Sequence, residues 1–196
     1  MFFCHKSGKK LLLGGSGEGT VQLVDQIRVL HYTRVPPASI YCFYHTSISM
    51  PKQVSNLLCR DSALADLRCI ECSIKDGFTT FICGMARGVD IVAAEIILKM
   101  KKGNSNLRLI CALPHPDFEK RWSKDWQQRY NAILSQADYI KTVCDAFSYG
   151  AYQRRNEWMV NHSDRVIAVY SGEAGGTRNT IDYAKKQGVS LVMIDG

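Results

Sequence analysis

The sequence predicts an α/β protein, a doubly wound and mainly parallel sheet with helices on both faces. Two observations carry that reading. From Phe78 to the C-terminus, short β-branched and aromatic runs alternate with stretches of helical period, the pattern of a parallel sheet covered on both sides. Two of the short strand-to-helix links are Gly-bearing, and right-handed crossovers bring such links to one sheet edge, beyond which these folds bind ligands. Composition agrees with one compact unit: 196 residues, 46% hydrophobic and 22% charged. With 15 Gly and 5 Pro, the chain is neither collagen-like nor mostly linker. No apolar run nears the roughly eighteen residues a spanning helix needs, so a cytoplasmic protein with no membrane partner is expected.

The elements follow in chain order. Residues 1–38 show neither strand nor helix period, and Val35-Pro36-Pro37-Ala38 interrupts them, so they are read as an N-terminal extension of unknown order before a single domain over 39–196. Ser39 to Tyr44 is a candidate opening strand. Leu57, Leu58, Leu64, Leu67 and Ile74 recur at near-helical intervals up to Asp76, and Gly77 is a plausible stop. Phe78 to Cys83 reads as a strand, Val89 to about Lys102 as a helix closed by Gly103, and Leu107 to Leu113 as a strand stopped by Pro114 and Pro116. Phe118, Trp122, Trp126, Tyr130, Ile133, Leu134 and Ala137 fall three or four apart and predict a long amphipathic helix over Asp117 to Ala137. A short strand near Tyr139 to Val143, a helix near Tyr152 to Asn161, a strand at Arg165 to Tyr170, a helix at Thr177 to Gln187 and a last strand at Val189 to Ile194 complete the chain.

Two loops have residues suited to an anion. After Cys83, Gly84 and Gly88 allow positive φ and close approach of a ligand, and Val89 and Asp90 open a helix whose free N–H groups favour negative charge. Arg87 is either a bidentate phosphate partner or a solvated loop side chain. Asp90 is either an ordinary first-turn carboxylate or a hydroxyl acceptor in the crevice. After Tyr170, Ser171-Gly172 and Gly175-Gly176-Thr177 could converge several N–H groups and two hydroxyls on one phosphate. Neither loop matches the Lys-bearing P-loop or the GxGxxG fingerprint. Gly14-Gly15-Ser16-Gly17-Glu18-Gly19 has no convincing strand before it and reads as a flexible segment.

Other features favour ordinary roles. The net charge of +7 permits a polyanionic partner, yet Lys99-Lys101-Lys102, Lys120-Arg121-Lys124 and Arg154-Arg155 are short clusters that read as solvated helix faces. Of the eight Cys, Cys83 and Cys111 lie in apolar strands as small hydrophobes. Cys69 and Cys72 have CxxC spacing without a second ligand pair, so no metal is expected. His115, between two prolines, reads as a turn residue.

Thr79 through Glu95, Ile110 through Pro116 with Phe118 to Trp122, Arg155 to Val160, Ser163 to Tyr170 and Gly175 to Thr180 together closely resemble the YpsA-like branch of the SLOG superfamily, over about Asp61 to Asp195. The resemblance implies a Rossmann-like domain binding a nucleotide or nucleotide-derived ligand, related to the DNA-processing protein DprA and to the LOG phosphoribohydrolases. By position it assigns Gly84, Arg87, Gly88, Asp90 and Glu95 to the first family motif, and Gly175, Gly176 and Thr177 to the phosphate loop. The family's opening Thr-Gly-His-Arg turn has its nearest counterpart in Cys42-Phe43-Tyr44-His45-Thr46-Ser47, which lacks the Gly and the Arg in register.

The leading functional expectation is a module that binds or senses a nucleotide derivative through Gly84, Arg87, Gly88, Asp90, Glu95, Ser171, Gly175, Gly176 and Thr177, with no cofactor and no assigned catalytic residue. A LOG-like hydrolase of the N-glycosidic bond of nucleoside monophosphates is the first alternative, with Asp90 or Glu95 stabilising charge on the ribose. Against it, Arg178 and Asn179 follow Thr177 where LOG loops continue with glutamates. Binding of single-stranded nucleic acid is the second alternative; it needs a basic groove with exposed aromatics. A protein partner is the expectation if the altered turn disables the pocket.

Overall fold

The computed structural model describes residues 1–6 and 60–196, the side chains of 60–66 excepted. The expectations for residues 14–19, 35–38, 39–44, 42–47 and 57–58, and for the side chain of Leu64, lie outside the described residues.

The described residues fall in one compact unit. In chain order they form β1 (Phe2–Lys6), α1 (Arg60–Lys75), β2 (Phe78–Cys83), α2 (Val89–Lys101), β3 (Arg108–Leu113), α3 (Lys124–Leu134), β4 (Tyr139–Thr142), α4 (Ala151–Asn161), β5 (Arg165–Tyr170), α5 (Gly176–Lys186) and β6 (Ser190–Asp195). From Phe78 onward, most elements lie within a residue of where periodicity puts them. Helix α1 stops where expected: the Gly77 N–H donates to the Ile74 carbonyl at 3.0 Å, and its φ of +88° suits glycine.

The aromatic helix is shorter than its period predicts. It was expected from Asp117, yet residues 117–122 close as separate turns through Lys120 N–H to the Asp117 carbonyl and Trp122 N–H to the Glu119 carbonyl, and regular helix begins only after Ser123. Asp117 follows Pro116 with φ +62°, a left-handed conformation that cannot continue into a right-handed helix. The three-to-four spacing of Phe118 and Trp122 is thus met by turns, with Phe118 buried and Trp122 packed on the core.

The six strands form one sheet in the order β4-β3-β2-β1-β5-β6. Neighbours pair in parallel on both sides of β1, which is antiparallel to β2 and to β5. The sheet is therefore mainly parallel, with one reversed strand at its centre. Periodicity groups residues 2–6 with the N-terminal extension; instead Phe2 faces Cys83 of β2 and Ile167 of β5, and joins the two parallel halves. Phe2, Phe3 and Cys4 are fully buried, as is the run Leu109 to Cys111 of β3 to within a few per cent. Because consecutive strand residues point to opposite faces, unbroken burial means both faces are covered at these strands. The C-terminal ends of the five parallel strands share one edge, and the reversal of β1 puts its N-terminal end there too.

Candidate functional site

Both Gly-bearing loops open from that edge, one after β2 and one after β5. The first runs Gly84-Met85-Ala86-Arg87-Gly88 into α2, with Met85 at φ +60° and Gly88 at φ +93°. The first intrahelical bond is from Val92 N–H to the Gly88 carbonyl at 3.1 Å, so the N–H groups of Val89, Asp90 and Ile91 have no acceptor inside the helix. Asp90 is buried and braces the loop: its Oδ2 accepts the Ala86 N–H at 3.1 Å and its Oδ1 lies 2.7 Å from the Met1 amino group. Its backbone carbonyl accepts the Cys83 thiol at 3.1 Å. Arg87 is exposed, its guanidinium 5.8 Å from the centre of the Trp122 ring.

Gly84 is a glycine for lack of room. A Cβ there would meet Arg155 Nη1 at 2.6 Å and Asp90 Oδ2 at 2.8 Å. Arg155, in α4, is 6% exposed and donates through Nη1 to the Gly84 carbonyl. Burial pushes its guanidinium pKa down, and the nearby Asp90 carboxylate pulls the other way. The solvated reading of the Arg154-Arg155 pair therefore holds only for Arg154, which is exposed and donates to Cys144 Sγ and Ser148 Oγ. Adjacent helical residues point about 100° apart, so one can face water while the other enters the core.

The second loop, residues 171–175, is exposed and leads into α5. Gly172 and Gly175 have φ of +92° and +154°, whereas Gly176 needs no special φ, and a Cβ at any of the three would meet nothing within 4 Å. Asn179 N–H to the Gly175 carbonyl is the first helical bond, leaving the N–H groups of Gly176, Thr177 and Arg178 without a helical acceptor. Thr180 Oγ1 donates to the Gly176 carbonyl at 2.7 Å and accepts from Asn156 Nδ2 at 2.9 Å. Arg155 and Asn156, consecutive in α4, thus hold the first loop and the first turn after the second. Charge clustering had hidden Arg155, and Asn156 bore only the motif match.

The structure gathers Gly84, Gly88 and Asp90 in one braced turn and Ser171, Gly175, Gly176 and Thr177 in the other. Glu95 is engaged elsewhere: its carboxylate takes a bidentate pair of bonds from Arg129 at 2.7 and 2.8 Å, tying α2 to α3, and Arg129 in turn lies 4.5 Å from the Trp126 ring centre. Burial pushes the Cys83 thiol pKa up, and that of Cys111 up to about 12, so both stay protonated at neutral pH. No helix among the described residues is long and apolar enough to cross a membrane. The arrangement can offer two sets of helix N-terminal N–H groups to an anion.

Sequence comparison finds the YpsA family, described as a SLOG family, matching residues 64–193. The chain is similar to the uncharacterized SPbeta prophage-derived protein YoqJ of Bacillus subtilis (strain 168), 34% identical over 69% of this chain and 85% of that protein. It is also similar to a UPF0398 protein of Bacillus cereus (strain B4264), 30% identical over 59% of this chain and 64% of the relative. A UPF0398 protein of Brevibacillus brevis is 34% identical over 46% of this chain and 49% of the relative. The chain therefore spans less than two thirds of the length of these two UPF0398 proteins.

Proposed function

Because this chain belongs to the YpsA family of the SLOG group, we propose that it binds a nucleotide or nucleotide-derived ligand, its phosphate seated on the 171–177 loop and the sugar side turned toward the 84–90 loop. One observation carries this reading: both Gly-bearing loops open from one sheet edge, and the α4 neighbours Arg155 and Asn156 hold the first loop and, through Thr180, the start of the helix that follows the second. Free N–H groups at the start of α5 supply donors and partial positive charge without a cationic side chain having to be ordered. Binding is favoured over N-glycosidic hydrolysis because the carboxylates such chemistry would use are engaged, Asp90 with the Ala86 N–H and Glu95 with Arg129. A single-strand groove is disfavoured because Arg155, half of the Arg154-Arg155 basic pair, is buried and so offers no charge to a strand.

The test is a thermal-shift series with nucleoside mono-, di- and triphosphates and ADP-ribose on the full chain and on Gly176→Asp. A ligand at about a hundred times its Kd stabilises by about 2.7 kcal/mol, a rise of a few degrees in Tm. Gly176 has open space and no left-handed φ, so the variant is expected to fold normally and lose the shift, its carboxylate standing where the phosphate would. No shift with any nucleotide, or an equal shift in the variant, overturns the proposal.

A further inference from the structure

Beside the first loop runs a chain of aromatic rings that the phosphate-binding reading leaves without a role. It starts at Trp122, under Arg87, and passes edge-to-face to Phe118 at 5.1 Å between ring centres and on to His115 at 6.1 Å. His115 meets Phe147 at 5.3 Å and Tyr152 at 5.9 Å. The outer rings stand in solvent: Phe147 is 61% exposed and Tyr152 42%. Beneath them His115 is 93% buried, being 7% exposed. Its Nδ1 lies 2.7 Å from the Pro116 carbonyl oxygen, which only accepts, so Nδ1 carries a hydrogen and in the neutral ring Nε2 presents a lone pair. That Nε2 is buried and meets no donor, an arrangement that costs stability until a donor arrives.

We propose that Phe147, Tyr152 and His115 form the base subsite of the nucleotide site, taking a purine with an exocyclic amino group. The proposal rests on the nucleotide reading above. The exposed rings supply stacking faces, which suit any base. The selective element is His115 Nε2, which accepts the amino N–H when the base enters among the rings that touch His115 edge-to-face. Arg87, over Trp122 at the other end of the same row, links this subsite to the phosphate-binding edge. The occupant is a free nucleotide; a nucleic-acid strand is the competing outcome.

The experiment is calorimetric titration of the full chain with AMP, with purine riboside 5′-monophosphate, which lacks the amino group, with ribose 5-phosphate, and with a short oligodeoxyadenylate. AMP is expected to bind at least about tenfold more tightly than ribose 5-phosphate, the order of one stacked base. Phe147→Ala and Tyr152→Ala should bring AMP down toward ribose 5-phosphate without weakening ribose 5-phosphate itself. His115→Phe keeps a ring in place but removes both the orphaned acceptor and the bond to the Pro116 carbonyl, two opposed effects that should leave its Tm close to wild type, while the preference for AMP over the purine analogue, about fivefold for one hydrogen bond, disappears. If ribose 5-phosphate and AMP bind equally, or the variants leave the AMP preference intact, the base subsite is wrong and the phosphate site stands. If neither binds, both proposals fall. Preference for the oligonucleotide over AMP assigns the rings to a nucleic-acid strand and overturns the proposal.

Discussion

Gly84 and Arg155 belong to one arrangement, since a side chain at one position would occupy the space of the guanidinium from the other. The Arg155 charge is tolerable in the core because it sits near Asp90 and donates to the Gly84 carbonyl. Arg155→Met is expected to leave a buried carboxylate and a carbonyl under-compensated and to lower unfolding stability by about 3–5 kcal/mol. Arg154→Met, one residue away in water, should change it by less than about 0.5 kcal/mol. Urea unfolding of the two variants decides: similar losses would mean that Arg155 is not the buried brace described. Gly84→Ala should cost about 1–3 kcal/mol through overpacking against the same groups, with Asp90 and Arg155 pushed apart.

At the scale of elements, β1 is the strand on which the sheet depends. Five of its residues pair with β2 and three of them, Phe2 to Cys4, also with β5, so among the described residues the two parallel halves of the sheet are joined through it. Its burial is complete at Phe2, Phe3 and Cys4, which leaves no polar face to give the alternation by which a strand is recognised. Phe3→Ala should destabilise by about 3–5 kcal/mol, the cost of emptying a fully packed aromatic site. The m-value should stay close to wild type if the two halves still unfold together, and chemical denaturation reads both quantities. A change of under about 1 kcal/mol would be incompatible with a central position for this strand. The aromatic helix teaches the complementary point: spacing of three and four marks a common buried side, but a left-handed residue such as Asp117 can supply that side through turns.

For the whole molecule, buried thiols make stability depend on alkaline pH. Burial holds the Cys4 and Cys111 thiols at about 12, against an ordinary value of 9.0, and raises Cys83 as well. Above pH 9 the unfolded chain gives up these protons while the folded chain retains them, so the unfolded state is favoured as pH rises. The contribution is complete below about pH 9 and is lost progressively toward about 12. At about pH 10.5 each of the two thiols should have forfeited about 2 kcal/mol relative to about pH 8. Urea midpoints across that range should fall, and Cys4→Ala with Cys111→Ala should flatten the decline even though the double variant starts less stable. A wild-type profile as flat as the variant's would contradict the burial of these groups.

Strand and helix identity from Phe78 onward, the Gly stops and the two loops were legible because each depends on residues a few positions apart: the period of burial, a left-handed glycine, a helix start. The candidate site was legible to the same extent, as loops and motif positions. Long-range pairing decided the rest. Nothing within Phe2 to Lys6 says that β2 and β5 will flank it in reverse, nothing in Arg154-Arg155 says which guanidinium enters the core, and nothing near Glu95 announces Arg129, 34 positions on. Periodicity reports which side of an element is dry, whereas the identity of a partner depends on distant segments that meet only when the chain folds.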